Sequence, residues 1–338
     1  MLRVSYQDLF EGLLRVLLKL GFESGRARLC AQLFADTSRD GVYSHGLDRF
    51  PRFVSMIRNG SIDVHAEPEL RAGSGPLERW DGKIGPGNLN AHHGMNRAIG
   101  LAREHGLGCV ALANTNHWMR GGSYGWQAAD AGVIGMCWTN TLPNLPPWGA
   151  SDPRVGNNPL VIAVPRSEGH VVLDMAMSQF SYGTLESYRK RGEALPVDGG
   201  FDSKGRLTRV AGDIEASNRP LPIGFWKGSG LALMLDLLAA QLSGGKATHQ
   251  IATDPKRENG LSQVFMAFNP SCLNAPAFDS SASASGIVDQ VLEYFQLPPH
   301  STGARVRYPG YRVLATRKDN LAHGIPVEPS IWERLDSL

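Results

Sequence analysis

A change of hydrophobic rhythm near Pro68 divides the 338-residue chain into two regimes. Before it, apolar residues recur at spacings of three and four. Leu9, Phe10, Leu13, Leu14, Leu17 and Leu18 follow Ser5 and Asp8, a loose capping box, and predict an amphipathic helix ended by Gly21. A second helix is expected over Ala27–Thr37 with Leu29, Leu33 and Phe34 inward, and a third from about Leu47 to Ile57 before Asn59-Gly60. The first sixty residues therefore read as all-helical. Beyond Pro68, strand-length apolar runs stand at Cys109–Ala113, Val133–Trp138, Leu160–Val164, Val171–Met175, Val264–Phe268 and Ala304–Tyr308. Helical stretches intervene at Asn90–Arg103, Tyr124–Ala131, Gly230–Leu242 and Ile287–Phe295, and a last helix is expected to end near Leu335. Strands alternating with helices predict an α/β layer with a substantially parallel sheet, and the many glycine and proline connections leave room for antiparallel members. The length is a prior for two domains, and no internal repeat is visible.

Charge excludes several function classes. With 34 Lys or Arg against 32 Asp or Glu and 42% apolar residues, the chain is neither disordered nor a general nucleic-acid binder. Asp8 and Glu11 interrupt the first apolar stretch, with Arg15 and Lys19 after them, so no signal peptide can be drawn, and no apolar run approaches a membrane span. Cys30, Cys109, Cys137 and Cys272 are far apart and form no C-x-x-C pair, which reads as reduced core thiols. A cytoplasmic location is expected.

Motifs narrow the chemistry. A Rossmann dinucleotide site would show G-x-G-x-x-G after its first strand, because those glycines let the backbone approach a pyrophosphate. The nearest fragments are Gly85-Pro86-Gly87 and Gly228-Ser229-Gly230; the second opens the apolar helix Leu231–Leu242 and could aim N–H groups at a phosphate. There is no P-loop and no H-E-x-x-H, and His92-His93 diverge, so no metal is expected. Gly121-Gly122-Ser123-Tyr124-Gly125 satisfies the G-x-S-x-G of a serine hydrolase, although the loop from Ala113 is long for a strained elbow; otherwise it caps the helix starting near Tyr124.

His45 and Arg49 lie four apart at a helix entrance, which on a helix means one shared face. A histidine can donate a proton near neutrality and a guanidinium can clamp a carboxylate, a pair suited to a small anionic carbonyl substrate; the alternative is a helix-capping His45 and a solvated Arg49. His117 leaves the carboxyl end of a strand, where α/β sheets gather ligands. Trp118, Trp126, Trp138 and Trp148 would suit either a nicotinamide wall or a plain core. Lys227, just ahead of a helix, would favour a phosphate or simply be solvated.

With these residues go the stretches Val42-Tyr43-Ser44-His45-Gly46, Arg49-Phe50-Pro51-Arg52-Phe53, Asn116-His117-Trp118-Met119-Arg120, Pro146-Pro147-Trp148-Gly149, Phe180-Ser181-Tyr182-Gly183, Leu195-Pro196-Val197-Asp198 and Trp226-Lys227-Gly228-Ser229-Gly230. On these blocks, from Tyr6 to the C-terminal helix, the chain resembles the malate/L-lactate dehydrogenase type 2 family of NAD(P)-dependent oxidoreductases. The resemblance implies an α/β fold with a non-Rossmann, mixed-sheet dinucleotide-binding domain over 76–312. It also implies a smaller helical domain over 1–75, joined by the C-terminal helix at about 313–338. It implies that His45 donates the proton and Arg49 holds the carboxylate end. His117 matches the histidine other members place at the substrate carbonyl, so either could move the proton, with His45 preferred. Cofactor contacts are implied for Val171, Val172, Leu173, Asp174, Met175, Ala176 and Met177, for Lys227 and Gly228, and for Gly310, Tyr311 and Arg312. NADH is the expected cofactor. Tyr311 and Arg312 depart from the His and Glu of the most similar members, and an arginine prefers a phosphate to a ribose hydroxyl, which leaves NADPH open. A homodimer with its site at the interface, and a small keto acid as substrate, complete the implied picture; relatives handle lactate, malate, sulfolactate, ureidoglycolate and cyclic imino acids.

Overall fold

The computed structural model describes residues 2–273, 284–296 and 306–338. It opens with β1 (Arg3–Val4), α1 (Tyr6–Lys19), α2 (Ser24–Arg39) and α3 (Phe50–Arg58). Ser5 caps α1 by accepting from the Asp8 N–H, as its spacing predicts, and Glu23 caps α2 through the N–H groups of Gly25 and Arg26. Leu9, Leu13 and Leu17 of α1 pack on Cys30 and Phe34 of α2 and on Phe50 and Phe53 of α3. Burying each such side chain is worth roughly 1.5–3 kcal/mol.

The expected third helix begins later than its sequence suggests. Two short 3-10 turns, Tyr43–His45 and Leu47–Arg49, precede α3 and are separated by Gly46. There the chain touches α2: a Cβ on Gly46 would lie 2.1 Å from Ser38 Oγ, which accepts from the Leu47 N–H. His45 and Arg49 are thus not on one helical face.

Next come β2 (Glu69–Ser74), β3 (Leu77–Asp81), α4 (Gly87–His105), β4 (Leu107–Asn116), α5 (Gly122–Asp130), β5 (Ile134–Thr139), β6 (Leu160–Val164) and β7 (Val171–Met175). The remaining elements are α6 (Tyr182–Arg191), β8 (Gly200–Phe201), β9 (Leu207–Thr208), α7 (Ala211–Ser217), α8 (Trp226–Ser243), β10 (Asn259–Phe268), α9 (Ala284–Phe295), α10 (Tyr311–His323), β11 (Ile325–Pro326) and α11 (Pro329–Trp332). Seven strands form one mixed sheet in the order β2-β3-β4-β10-β5-β6-β7. Among the described residues only β3 and β4 pair in parallel, so the expectation of a substantially parallel sheet is corrected. Consecutive strands pair antiparallel, β2 with β3, β5 with β6 and β6 with β7, and β10, returning from far along the chain, inserts antiparallel between β4 and β5.

β4 and β10 are buried on both faces. Val110, Leu112 and Phe265 meet Met95 and Ala98 of α4 on one side, while Cys109, Ala111 and Val264 meet Ala232, Leu235 and Ala239 of α8 on the other, the alternation a pleated strand requires. Polar bonds pin α8 as well: the Asn140 amide donates to Asp236 Oδ1 at 2.9 Å and the Asn158 amide to Ala232 O at 2.7 Å. Other expectations also need correction. The last long helix ends at His323, before β11 and α11; Val306–Tyr308 is not a strand, and Ala304 lies outside the described residues. Cys30, Cys109 and Cys137 are buried, but Cys272 is exposed. β11 pairs with β1, and Ile325, Val327 and Leu335 complete the core of α1–α3.

Candidate active site

His45 ends its 3-10 turn beside His117, which follows β4, and the two rings stack with centroids 5.9 Å apart. Each approach is held by backbone packing. The Asn116 amide donates to the carbonyls of Ile84 and Gly85 at 2.8 and 2.9 Å, and a Cβ on Gly87 would lie 2.3 Å from His117 O, so the start of α4 presses directly on the His117 loop. A Cβ on Gly183 would lie 2.8 Å from Ser44 Oγ, so the first turn of α6 roofs the His45 turn. Ser44 Oγ is 3.0 Å from His45 Nδ1, and the Met119 N–H donates to His117 Nδ1 at 3.0 Å.

Arginines surround this pair. Arg49 and Arg52 share the buried carboxylate Glu258, at 4.0 and 3.6 Å, and Arg52 also donates to Pro255 O. Burial pushes the Arg49 guanidinium down to about 10, helped by Arg52 and opposed by Glu258. His45 falls to about 4 through burial and then the charges of Arg49 and Arg120. His117 lies well below the usual histidine value for the same reasons: burial first, then Arg49, His45 and Arg52. Both imidazoles are therefore neutral at pH 7.

Behind the histidines lies an ion-pair node. Asp40 is 5% exposed; it accepts from Arg120 Nη1 at 2.7 Å, from Arg317 Nε and Nη2 at 2.8 Å each, and from Arg39 Nε at 2.9 Å. Burial alone would raise its carboxyl, but the Arg317 hydrogen bonds and the Arg120 charge win and hold it at about 2. Arg120 also acts electrostatically on Asp174 of β7, whose Oδ2 accepts from the Gly122 N–H at 2.7 Å.

β7 is where the segments singled out for a cofactor meet. At its start the Val172 N–H donates to Pro309 O, and Gly310, with φ +89°, comes so close that a Cβ would sit 3.1 Å from Val172 N. At its far end the Ile223 N–H donates to Met177 O and the Gly228 N–H to Ile223 O, which ties the start of α8 to the same chain. Val172 and Met177 are buried, whereas Leu173, Met175 and Ala176 are partly open and Lys227 is exposed within the first turn of α8. A shallow concavity of about 330 Å³ is lined by Arg307, Tyr308, Gly310, Tyr311, Arg312 and Val313. The tryptophans divide: Trp118, Trp126 and Trp138 are core, and Trp148 is open and lies 5.0 Å from the Phe225 ring. Ser123 sits inside the first turn of α5, not in a strained elbow.

A sequence model of the malate/L-lactate dehydrogenase family matches residues 4–336. The chain belongs to the malate/L-lactate dehydrogenase family. It is an oxidoreductase of that family and is 44% identical to the 2,3-diketo-L-gulonate reductase of Escherichia coli K12, with 100% of each chain covered. Solved structures of the family superpose closely. Sulfolactate dehydrogenase from Methanocaldococcus jannaschii has a TM-score of 0.89 at 25% identity, covering 99% of this chain and 96% of that one. Delta1-piperideine-2-carboxylate reductase from Pseudomonas syringae has 0.86 at 27% identity, covering 100% and 99%.

Membership accounts for the missing glycine fingerprint, and it leaves the Ser123 hydrolase reading without support. Arg52 stood in the Val42–Phe53 block without a role of its own, whereas Asp40, Glu258 and Arg317 escaped the reading of the sequence. No motif marks them, since each acts through a partner distant in the chain. The Val42–Phe53 and Asn116–Arg120 blocks were the usable signal for Ser44 and Arg120, because both flank a histidine already singled out.

Proposed function

We propose that this chain is an NAD(P)H-dependent reductase of 2,3-diketo-L-gulonate, forming 3-dehydro-L-gulonate in the cytoplasm, within carbohydrate metabolism. The observation that carries the reading is the pair of stacked neutral imidazoles beside Arg49 and Arg52, on a chain 44% identical over its length to reductases of that substrate. Arg49 takes the substrate carboxylate, whose charge offsets the arginines and raises the His45 pKa toward the working range. His45 then gives its proton to the carbonyl oxygen that becomes a hydroxyl. Holding carboxylate and carbonyl against these groups at once is worth several kcal/mol of barrier, roughly the low end of the effective-molarity range.

The residues along β7 fit a dinucleotide. Backbone groups from Val171 to Met177 meet Gly310 at one end and Ile223, whose carbonyl takes the Gly228 N–H, at the other; Lys227 and Arg312 would hold phosphates, and Asp174 is committed to the Gly122 N–H. When bound, the reduced nicotinamide supplies the hydride. NADH is the cofactor we assign, with NADPH admitted by Arg312 and Tyr311. Residues 1–75 with 313–338 form the helical domain and 76–312 the dinucleotide-binding domain; two main cores support the division, although β2 pairs into the large sheet, Leu89 and Met119 join the first core, and Val313 and Leu314 pack on the second. Leu231, Leu233, Met234, Leu237 and Leu238 of α8 are exposed, which supports a homodimer with the site at its interface.

Initial rates of NADH and NADPH consumption against diketogulonate, pyruvate, oxaloacetate and a cyclic imino acid test this directly. Selective turnover of diketogulonate is expected. Turnover of another acid alone would move the substrate within the family, and turnover of none would remove the reductase reading.

A further inference from the structure

The two histidines present the same question to the reaction, and their neighbours answer it differently. An imidazole that hands a proton from Nε2 to a substrate must end neutral with its remaining proton on Nδ1, and that proton needs an acceptor. At His117 the Nδ1 position already receives a backbone N–H, from Met119. The arrangement is built in: Met119 is held at φ +65°, a region non-glycine residues rarely adopt, with its side chain buried. An N–H cannot accept, so His117 is fixed with its proton on Nε2 and keeps it. At His45 the Nδ1 neighbour is the Ser44 hydroxyl, at 3.0 Å, which can accept. The Ser44 side chain is confined by the first turn of α6, where a Cβ on Gly183 would lie 2.8 Å from its oxygen and 2.9 Å from its Cβ.

We infer that Ser44 is a positioning residue that selects His45 as the proton carrier. Its Oγ accepts from His45 Nδ1–H and leaves Nε2 to exchange the proton, while the Met119 N–H confines His117 to donating a hydrogen bond. The two stacked rings therefore hold opposite neutral tautomers. The inference rests on the proposed reductase reading for the use of the proton, but not for the tautomers themselves.

Long-range proton–nitrogen spectra of the protein labelled with [15N]histidine read the tautomers without substrate or cofactor, with the His117→Asn spectrum assigning the rings. The wild-type protein is expected to show His45 protonated on Nδ1 and His117 on Nε2. In Ser44→Ala, His45 is expected to move to the Nε2–H form, and kcat for the keto acid to fall about ten- to a hundredfold with the cofactor KM unchanged. Ser44→Cys, a weaker acceptor of similar size, should fall between the two. Two Nε2–H histidines in the wild-type protein would overturn the inference even if Ser44→Ala failed to fold, as would a Ser44→Ala enzyme with unaltered kcat. A wild-type protein that reduces no keto or imino acid would instead sink the parent reading and with it the role of the proton.

Discussion

An imidazole buried beside guanidinium groups resists protonation, and in the proposed reaction it is the substrate's own negative charge that reverses this. His45→Asn keeps the shape but cannot carry the proton, so kcat should drop by about two to four orders of magnitude with cofactor affinity retained. Near-normal turnover in steady-state assays of that variant would transfer the role to His117. Asp40 is a different kind of residue, touching no candidate reacting atom yet hydrogen-bonded to three arginines. Asp40→Asn leaves Arg120, itself 5% exposed, without its counter-charge, and should cost about 3 kcal/mol in urea unfolding. Because the folded pKa of Asp40 lies below its unfolded value of 3.8, this stabilisation is fully present above that value and is lost as pH falls through about 2.

Among elements, the close contact of α4 with the His117 loop makes a direct prediction. Gly87→Ala would force a Cβ against two backbone carbonyls, at 2.3 and 2.4 Å, and one of them must move. Loss of at least about 2 kcal/mol of stability is expected, together with a kcat defect that Ala substitution at Gly100, further along α4, where a Cβ would meet only Arg97 Nη1 at 4.0 Å, does not produce. α8 carries the association prediction. Leu237→Glu places a charge in the exposed apolar face and should convert a dimer of 36.6 kDa chains into monomers by light scattering; a wild-type monomer would remove the dimer proposal.

What the sequence made legible follows the same logic of local against distant causes. Ser5 and its apolar stripe foretold α1, and β6 and β7 stand at the expected residues, because each is specified within a dozen positions. β2 escaped notice because all six of its residues are exposed and carry no apolar alternation. The antiparallel insertion of β10 depends on pairing across more than a hundred residues, which no local pattern encodes. The site divides likewise: both histidines and Arg49 stand in recognisable blocks, whereas Glu258 is known only by what it touches.

For the molecule as a whole, the buried histidines make stability pH-dependent. Burial lowers His45, His117, His92 and His93 below the ordinary histidine value, so the unfolded chain binds more protons as pH falls from about 6.5 toward 4. Stability should therefore decline over that window, opposed in part by Asp48, which burial raises to about 6. A fall in Tm of at least about 3 °C between neutral pH and pH 5 is expected in differential scanning fluorimetry, and a His45→Asn/His117→Asn double variant should show a shallower slope.

The pairing of β1 with β11 has a consequence in time. The hydrophobic centre formed by α1–α3 is closed by Ile325, Val327 and Leu335, so a region made first waits for residues made nearly last. At ribosomal speeds that interval is on the order of tens of seconds. Through it the apolar stripes of the nascent helices stand partly uncovered, the kind of transiently exposed surface that chaperones bind.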